Sequence, residues 1–586
     1  MLKCEYNQIT QNLGPDYAQN VPTTGHSLKT ILKYFNIDVA YGIGGDYVAG
    51  LIEVLHPEVN ILPGSNELNA AFAACGHAEI RGIGCCIMTY TVGSLPAISA
   101  AALAIAENIP VIFLSGAPGE NEIGETFLHH TVVNHRNLYP RYDAALNAFQ
   151  AIGVRAERLQ GKRGNLQPSN ASIQFLELVH YAWKNSQPVF IEIPRDLIAQ
   201  PTQPLTLPSS PKLLQAEVPL VAGNLEIIPQ IKHKLLKSKH PLIFLGQFIK
   251  RDRSLRECIL KFSKEHNIPF VTSWLAKGFF DEDDALCKGA YNGIFSPEHI
   301  RSIEHDVDYI IEIGTSIQRQ DINYAFNSET QWLSDFENKT RLTGALLESE
   351  NLQTMFKELS NGSEPKNSPL TQNQISVFSS KTEQTLSYSN IASALNQTQN
   401  RLDRTMVYLP EVGNSLFASF GLKNRLGECG RGWVANPWYA AMGTSLAYAR
   451  ALGHINQSEN LKDIPVVLTG DGGFQFQINE LAHIQQEELS VIVIYMRNNI
   501  FSLGKAGESN IYKCIDPRFK LELTTQSYGG RYYCVDRTDE LVRVIEKVTV
   551  ELSFGLVIIE VPTSTDSCDQ SNEVRLINNY ISSCND

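Results

Sequence analysis

Several groups in this sequence have the types and spacing to do chemistry. The first lie in the stretch 466–502, VVLTGDGGFQFQINELAHIQQEELSVIVIYMRNNIFS. An apolar run there ends in Gly470, Asp471, Gly472 and Gly473, a helical pattern follows, and a second apolar run delivers Asn498 and Asn499. That order predicts a β-α-β unit. Neighbouring strands of a parallel sheet end on the same edge, so Asp471 and an asparagine at 498 or 499 can converge on one hard cation. The glycines let backbone N–H groups approach phosphate oxygens without a Cβ in the way. A second group is Glu67, placed where a strand pattern meets a helix pattern, which aims a short acid into a cleft. A third is the adjacent pair His129 and His130, whose imidazoles can move protons near neutral pH.

These groups need elements to hold them. Early in the chain, strand patterns at 39–42, 60–62, 84–90, 111–114 and 189–193 alternate with helix patterns at 27–35, 47–55 and from about 66. Apolar strands alternating with helices predict a parallel, doubly wound sheet. A proline-rich connector, QPTQPLTLP at 200–208, precedes a second such segment with strands at 241–245, 269–273 and 309–313. A Ser/Asn/Gln-rich stretch from 360 to about 387 is the best linker. A helix pattern at 388–402 then opens the segment that holds 466–502. The expected fold class is therefore α/β, with three doubly wound parallel-sheet domains at 1–200, 209–360 and 388–586, a linker at 361–387, and a polar arm over roughly the first 20 residues.

Bulk properties narrow the function class. A chain of 586 residues exceeds a single core. Hydrophobic residues at 43% and charged residues at 19% describe a folded, soluble protein. The net charge of −13, from 49 basic and 62 acidic residues, argues against a nucleic-acid or membrane partner. The 11 cysteines show no C-x-x-C spacing, so neither a zinc site nor a disulfide framework is expected. No apolar leader segment or bilayer-length run is seen, and a cytoplasmic location is expected.

The order strand, GDG, helix, strand, Asn-Asn resembles the thiamine diphosphate motif. Other phrases extend the likeness over nearly the whole chain: GIGGDY (42–47), GSNELNAAFAACGHA (64–78), TYTVGSL (89–95), LHHT (128–131), PVFIEIPRDL (188–197), WLAKGFFDED (274–283), EVGNSLF (411–417) and PWYAAMG (437–443). The chain is similar to the pyruvate and indolepyruvate decarboxylases and, more distantly, to the acetolactate synthases.

The resemblance implies thiamine diphosphate and Mg²⁺ as cofactors, with a pyrimidine-binding first domain, a central domain and a diphosphate-binding third domain. It implies that Glu67 activates the cofactor through its pyrimidine nitrogen, that Met442 before Gly443 bends it, and that the Ala440 carbonyl receives its amino group. Asn414, Ser415 and the backbone around Gly470, Gly472 and Gly473 would meet the diphosphate. Asp471, Asn498 and the carbonyl of Ile500 would hold the metal, with Asn499 taking over if the unit carries one extra residue. Asp46, His129 and His130 would line the reaction pocket and handle protons, a trio that favours decarboxylation over acetolactate synthesis.

The implied reaction is non-oxidative decarboxylation of a 2-oxo acid to an aldehyde and CO₂, by a homodimer or homotetramer. One departure opens an alternative. Where pyruvate decarboxylases place a proton-donating Glu, this chain has Gly504, or Lys505 in the shifted register. Either His129, His130 or water then supplies the proton, or the protein is a carboligase that couples the substrate fragment to a second carbonyl compound. FAD, kept in the middle domain by some acetolactate synthase relatives, has no clear signal here.

Overall fold

The computed structural model describes residues 21–124, 128–134, 136, 139–161, 169–211, 227–250, 253–293, 296–315, 339–342, 349–360, 386–499 and 518–563. The expected arm at 1–20, most of the expected linker (361–385), Ile500, Gly504 and Lys505 lie outside the described residues. The chain divides into two units, Met1–Ala74 with Ile83–Ala216, and Cys75–Gly82 with Glu217–Asp586.

The first unit holds β1 (Val39–Gly42), β2 (Asn60–Pro63), β3 (Gly84–Met88), β4 (Val111–Ala117), β5 (Val132–Asn134), β6 (Tyr139–Arg141), β7 (Arg155–Arg158) and β8 (Val189–Pro194). Six of them form one parallel sheet in the order β2-β1-β3-β4-β8-β7, while β5 and β6 pair as an antiparallel ribbon. Every residue of β4 is buried, as expected for a strand covered by helices on both faces. Its alternate residues serve different layers. Ile112 and Leu114 join one apolar cluster, whereas Phe113 meets the ring of Phe149 at 5.9 Å.

The second unit holds two parallel five-stranded sheets. The first is ordered β11-β10-β9-β12-β13 and comprises β9 (Pro241–Leu245), β10 (Phe270–Ser273), β11 (Cys287–Tyr291), β12 (Tyr309–Ile313) and β13 (Lys339–Leu342). The second is ordered β14-β15-β16-β18-β17 and comprises β14 (Met406–Pro410), β15 (Ile464–Gly470), β16 (Val491–Arg497), β17 (Arg531–Cys534) and β18 (Leu556–Pro562). Both faces of β9 are apolar and covered, with Ile243 and Leu245 in one cluster and Leu242 and Phe244 in another. The α/β class with three parallel sheets stands.

The sequence patterns and the elements differ in instructive places. β7, β11, β13 and β17 all lie at sheet edges and are only partly buried. Their residues therefore lack the continuous apolar run that marks a central strand. The helix expected over 47–55 spans Ala49–Leu55 instead. Tyr47 precedes it and approaches β4 closely, a Cβ on Gly116 falling 2.4 Å from the Tyr47 carbonyl oxygen. The single helix expected after GDG is two, Asp471–Gln477 and Glu480–Gln486. The buried Gln477 side chain at the end of the first accepts the N–H groups of Leu446 and Ala447 at 2.9 and 3.2 Å. Among the described residues no helix is long and apolar enough to cross a membrane.

Candidate functional site

In the first unit, the parallel sheet brings the C-terminal ends of its strands to one edge, with Gly42 opposite Pro63 and next to Ile87. Such an edge is where doubly wound sheets bind ligands. Asp46 follows β1, Glu67 follows β2, His129 and His130 follow β4, and Arg195 follows β8. Asn66 caps the helix Glu67–Arg81, its Oδ1 accepting the Asn69 N–H at 2.9 Å. That cap makes Glu67 the first helical residue, half-buried at the mouth of the turn.

His129 Nε2 lies 3.0 Å from Asp46 Oδ2, and the two histidine rings are 4.5 Å apart. His130 takes the left-handed backbone conformation, φ 67°, which L-residues adopt only where the surroundings hold them. The buried Tyr47 packs against both rings at 5.1 and 6.1 Å and donates its hydroxyl to the His129 carbonyl at 3.2 Å. Burial raises the Tyr47 pKa, against the opposing effect of the Arg195 guanidinium lying over its ring at 4.9 Å. Arg195 pairs with Glu122 and stands 3.8 Å from Asp46 Oδ2. The hydrogen bond from Arg195 holds the Glu122 carboxyl below its usual range. The three side chains named from the sequence, Asp46, His129 and His130, are thus together in space.

In the second unit a similar edge forms where β14, β15, β16 and β18 end, with Pro410 opposite Leu468, Gly470 opposite Met496 and Arg497 opposite Pro562. Asp471 opens the helix after β15 and is buried. Its Oδ2 accepts the N–H groups of Asn498 and Asn499 at 2.9 and 2.6 Å, and its Oδ1 accepts the Tyr495 hydroxyl at 2.6 Å. Burial nevertheless pushes the Asp471 pKa up. A buried carboxylate at a strand edge is a group that a bound cation would suit. Asn498 is half-buried beside it, whereas Asn499 is exposed with φ 63°. This oxygen-donor set fits Mg²⁺.

The groups expected to meet a diphosphate stand on the same edge. Asn414 and Ser415 are buried at the start of the helix Asn414–Ala418. Its leading residue Gly413 sits at φ 110° with nothing within 4 Å of where a Cβ would project. Gly470 is similarly open, with only the Met496 carbonyl oxygen 3.9 Å from such a Cβ. Open backbone beside helix N–H groups fits an anionic diphosphate.

The Ala440–Gly443 loop is held in an uncommon shape. Ala440 has φ 56° and Gly443 φ 82°, and both Ala440 and Met442 are half-buried. The buried Asn436 bridges this loop, its Oδ1 accepting Ala441 N–H at 2.6 Å and its Nδ2 donating to Thr444 Oγ1 at 2.9 Å. Glu411, fully buried at the end of β14, does more. One of its oxygens accepts Val412 and Gly443 N–H at 3.0 and 2.9 Å. The other accepts Thr444 N–H, Ser445 N–H and Ser445 Oγ–H at 3.1, 3.1 and 2.8 Å. Burial raises its pKa while these donors oppose the shift. A Cβ on Gly473 would lie 2.2 Å from Glu411 Cγ, so the same side chain also abuts the GDG helix.

Glu411, Asn436, Tyr47, Glu122 and Arg195 were given no role by motif reading. Glu411 and Arg195 carry a signal in retrospect, each being a charged residue at the C-terminal end of an apolar strand. Tyr47 ends the phrase GIGGDY, whereas Glu122 and Asn436 carry none beyond their place in loops.

Three family models match the chain. They are the N-terminal TPP binding domain of thiamine pyrophosphate enzymes over residues 22–138, the central domain over 228–337 and the C-terminal TPP binding domain over 413–561. The chain is 25% identical over 578 residues to a probable pyruvate decarboxylase of Schizosaccharomyces pombe, covering 94% of this chain and 96% of that protein. It is 24% identical over 590 residues to pyruvate decarboxylase 3 of Arabidopsis thaliana, covering 97% and 95%. A thiamine metabolism regulatory protein of Saccharomyces cerevisiae matches over 491 residues at 23% identity, covering 81% and 77%. With all three domains matched in order and two sheet edges carrying the expected groups, the chain belongs to the thiamine pyrophosphate enzymes, where it groups with the pyruvate decarboxylases.

Proposed function

We propose that the protein decarboxylates a 2-oxo acid non-oxidatively, with thiamine diphosphate and Mg²⁺, and releases CO₂ and an aldehyde. The observation that carries this reading is the contact of His129 with Asp46 at 3.0 Å, with His130 alongside. It gathers proton-handling groups at the strand edge that also bears Glu67. When bound, thiamine diphosphate supplies a nucleophilic carbon that adds to a 2-oxo carbonyl and takes up the electrons left by departing CO₂.

The chain's own residues do the rest. Asp471, Asn498 and the Ile500 carbonyl hold Mg²⁺, while Asn414, Ser415 and the backbone at Gly470, Gly472 and Gly473 hold the diphosphate. Met442 would pack against the rings of the bound cofactor, and the Ala440 carbonyl would receive its amino group. Glu67 would hold a proton toward the pyrimidine nitrogen of the bound cofactor. Asp46, His129 and His130 move protons to and from the substrate. The domains that serve these roles are 1–200 for the pyrimidine, 209–360 as the central domain, and 388–586 for the diphosphate and metal.

The protein acts as a homodimer or homotetramer in the cytoplasm. Exposed Trp438, Tyr439 and Phe476, the last packed against the Ala440–Gly443 loop, are an apolar surface of the kind a second subunit covers. Sedimentation analysis tests this, and a monomer at working concentration would refute it.

Purified protein incubated with aliphatic, branched and aromatic 2-oxo acids should yield CO₂ and aldehyde in equal amounts. The absence of an acid at Gly504 or Lys505 favours a second reading, in which the product is a 2-hydroxy ketone or acetohydroxy acid. Mass spectrometry of mixed-substrate reactions separates the two, since CO₂ without aldehyde supports coupling. The likeness to a protein named for regulation of thiamine metabolism makes cofactor binding worth measuring apart from turnover.

A further inference from the structure

We infer that Asp46, His129 and His130 form a binding site for a divalent transition ion of the Zn²⁺ or Co²⁺ class, separate from the oxygen-donor site at Asp471. One nitrogen from each imidazole and one Asp46 oxygen lie within 4.8 Å of one another, and the closest pair is already at 3.0 Å. Zn²⁺ takes imidazole nitrogen and carboxylate oxygen at about 2.0–2.2 Å, so a tetrahedral set needs its ligand atoms roughly 3.4 Å apart. The required closure is at most about 1.4 Å between any two ligand atoms, from 4.8 Å to roughly 3.4 Å.

The chemistry of the donors selects the ion. Two imidazoles and one carboxylate suit Zn²⁺, Co²⁺ or Ni²⁺ far better than Mg²⁺ or Ca²⁺, which favour oxygen. All three side chains are exposed, so an ion can enter and water can fill the remaining position.

The surroundings hold the ligands in place. Tyr47 supports both rings from below and fixes the His129 carbonyl at 3.2 Å, and the left-handed turn at His130 keeps the second ring against the first. These contacts limit how far the two rings can move. Among the described residues the cation beside Asp46 is Arg195, which pairs closely with Glu122 and stands 3.8 Å from Asp46 Oδ2, so an entering ion shares the Asp46 charge with a guanidinium already partly neutralised.

A consequence rests on the proposed role of these residues in proton handling. An imidazole bound to a metal cannot move a proton, so occupancy inhibits turnover.

The test uses tag-free full-length protein freed of Mg²⁺ and thiamine diphosphate and titrated with Co²⁺ alone. We expect one equivalent of Co²⁺ per chain to produce a visible absorption band stronger than that of the aqueous ion. His129→Gln and His130→Gln should each abolish it. Asp46→Asn should weaken binding at least about tenfold, the least that losing even an outer-shell partner costs. Asp471→Ala should leave the band intact. A band that persists in both histidine variants, or no band at all, overturns the site. Far-ultraviolet circular dichroism confirms that the variants, changed at exposed positions, remain folded.

In the holoenzyme, Zn²⁺ should inhibit turnover even with Mg²⁺ in large excess, and Mg²⁺-saturated chelator should restore it. Unimpaired turnover at saturating Zn²⁺ would sink the inhibitory consequence. The cobalt spectrum can be read whether or not the protein decarboxylates anything, so failure of the site and failure of the proposed reaction are distinguishable.

Discussion

Glu411 and Gly473 meet so closely that no side chain fits between them, a Cβ on Gly473 falling 2.2 Å from Glu411 Cγ and 2.9 Å from its Cδ. The Glu411 carboxylate is fully buried and held by donors from Val412, from Gly443 at the end of the Ala440–Gly443 loop and from Thr444 and Ser445 just after it, so it has nowhere to retreat. Gly473→Ala should therefore push the GDG helix off β14. Overpacking of this kind costs about 1–3 kcal/mol. We expect a lower melting temperature and roughly tenfold weaker thiamine diphosphate binding, since about 1.4 kcal/mol is tenfold. Calorimetric titration in the presence of Mg²⁺ checks it, and unchanged affinity would show that the contact yields.

Glu411→Gln keeps the size of the side chain and reverses one end of it. Its amide NH₂ would face either Gly443 N–H or the donors of Thr444 and Ser445. Leaving such buried groups unsatisfied costs about 1–3 kcal/mol. Thiamine diphosphate affinity should fall by ten- to a hundredfold, roughly that range converted at 1.4 kcal/mol per decade. Glu411→Asp, which keeps the charge but withdraws the oxygens, should fall short of rescue.

Glu67→Gln should abolish turnover and leave cofactor affinity nearly unchanged. The residue is the first of its helix, and Asn66 rather than Glu67 supplies the cap, so the helix does not depend on the charge. Steady-state rates alongside calorimetry separate the two effects. A retained rate would remove Glu67 from the mechanism.

His77 makes stability depend on pH. It is buried in the Cys75–Gly82 part of the second unit. Burial, aided by the nearby charges of Arg81 and His454, pushes its pKa down from 6.5 to about 3. Between these values the unfolded chain binds a proton that the folded chain refuses. Stability is therefore present in full above about pH 6.5 and is lost as pH falls toward 3. The slope from one such group approaches about 1.4 kcal/mol per pH unit. His77→Gln should flatten the acid limb of the denaturant midpoint plotted against pH by that much, and an identical slope in both proteins would refute the assignment.

Chelation of Mg²⁺ should release thiamine diphosphate, because buried Asp471 then has no cation between it and the anionic diphosphate. Equilibrium dialysis with and without chelator reads this directly. Asp471→Ala should bind the cofactor equally weakly in both conditions.

Much of this protein is legible along the chain. The apolar runs at β4, β9, β15 and β16 are continuous because both faces of a central parallel strand are covered. Asp46 and Glu67 stand at the C-terminal edge of the first sheet because they follow β1 and β2, and Asp471 and Asn498 stand at that edge of their own sheet because they follow β15 and β16, so their placement is legible from strand order alone. The polar edge strands β7, β11, β13 and β17 give no such signal, since one side of each has no neighbour.

What only the tertiary structure decided is which side chains hold those groups in place. Glu411 becomes a clamp because its donors come from 412 and 443–445 and its steric partner from 473. Tyr47 becomes the floor of the Asp46, His129 and His130 cluster because β1 and β4 lie on either side of β3. A sequence pattern records how residues repeat along one strand or helix. The distances between loops depend on strand order and register, so the residues that join them appear only once the sheet is built.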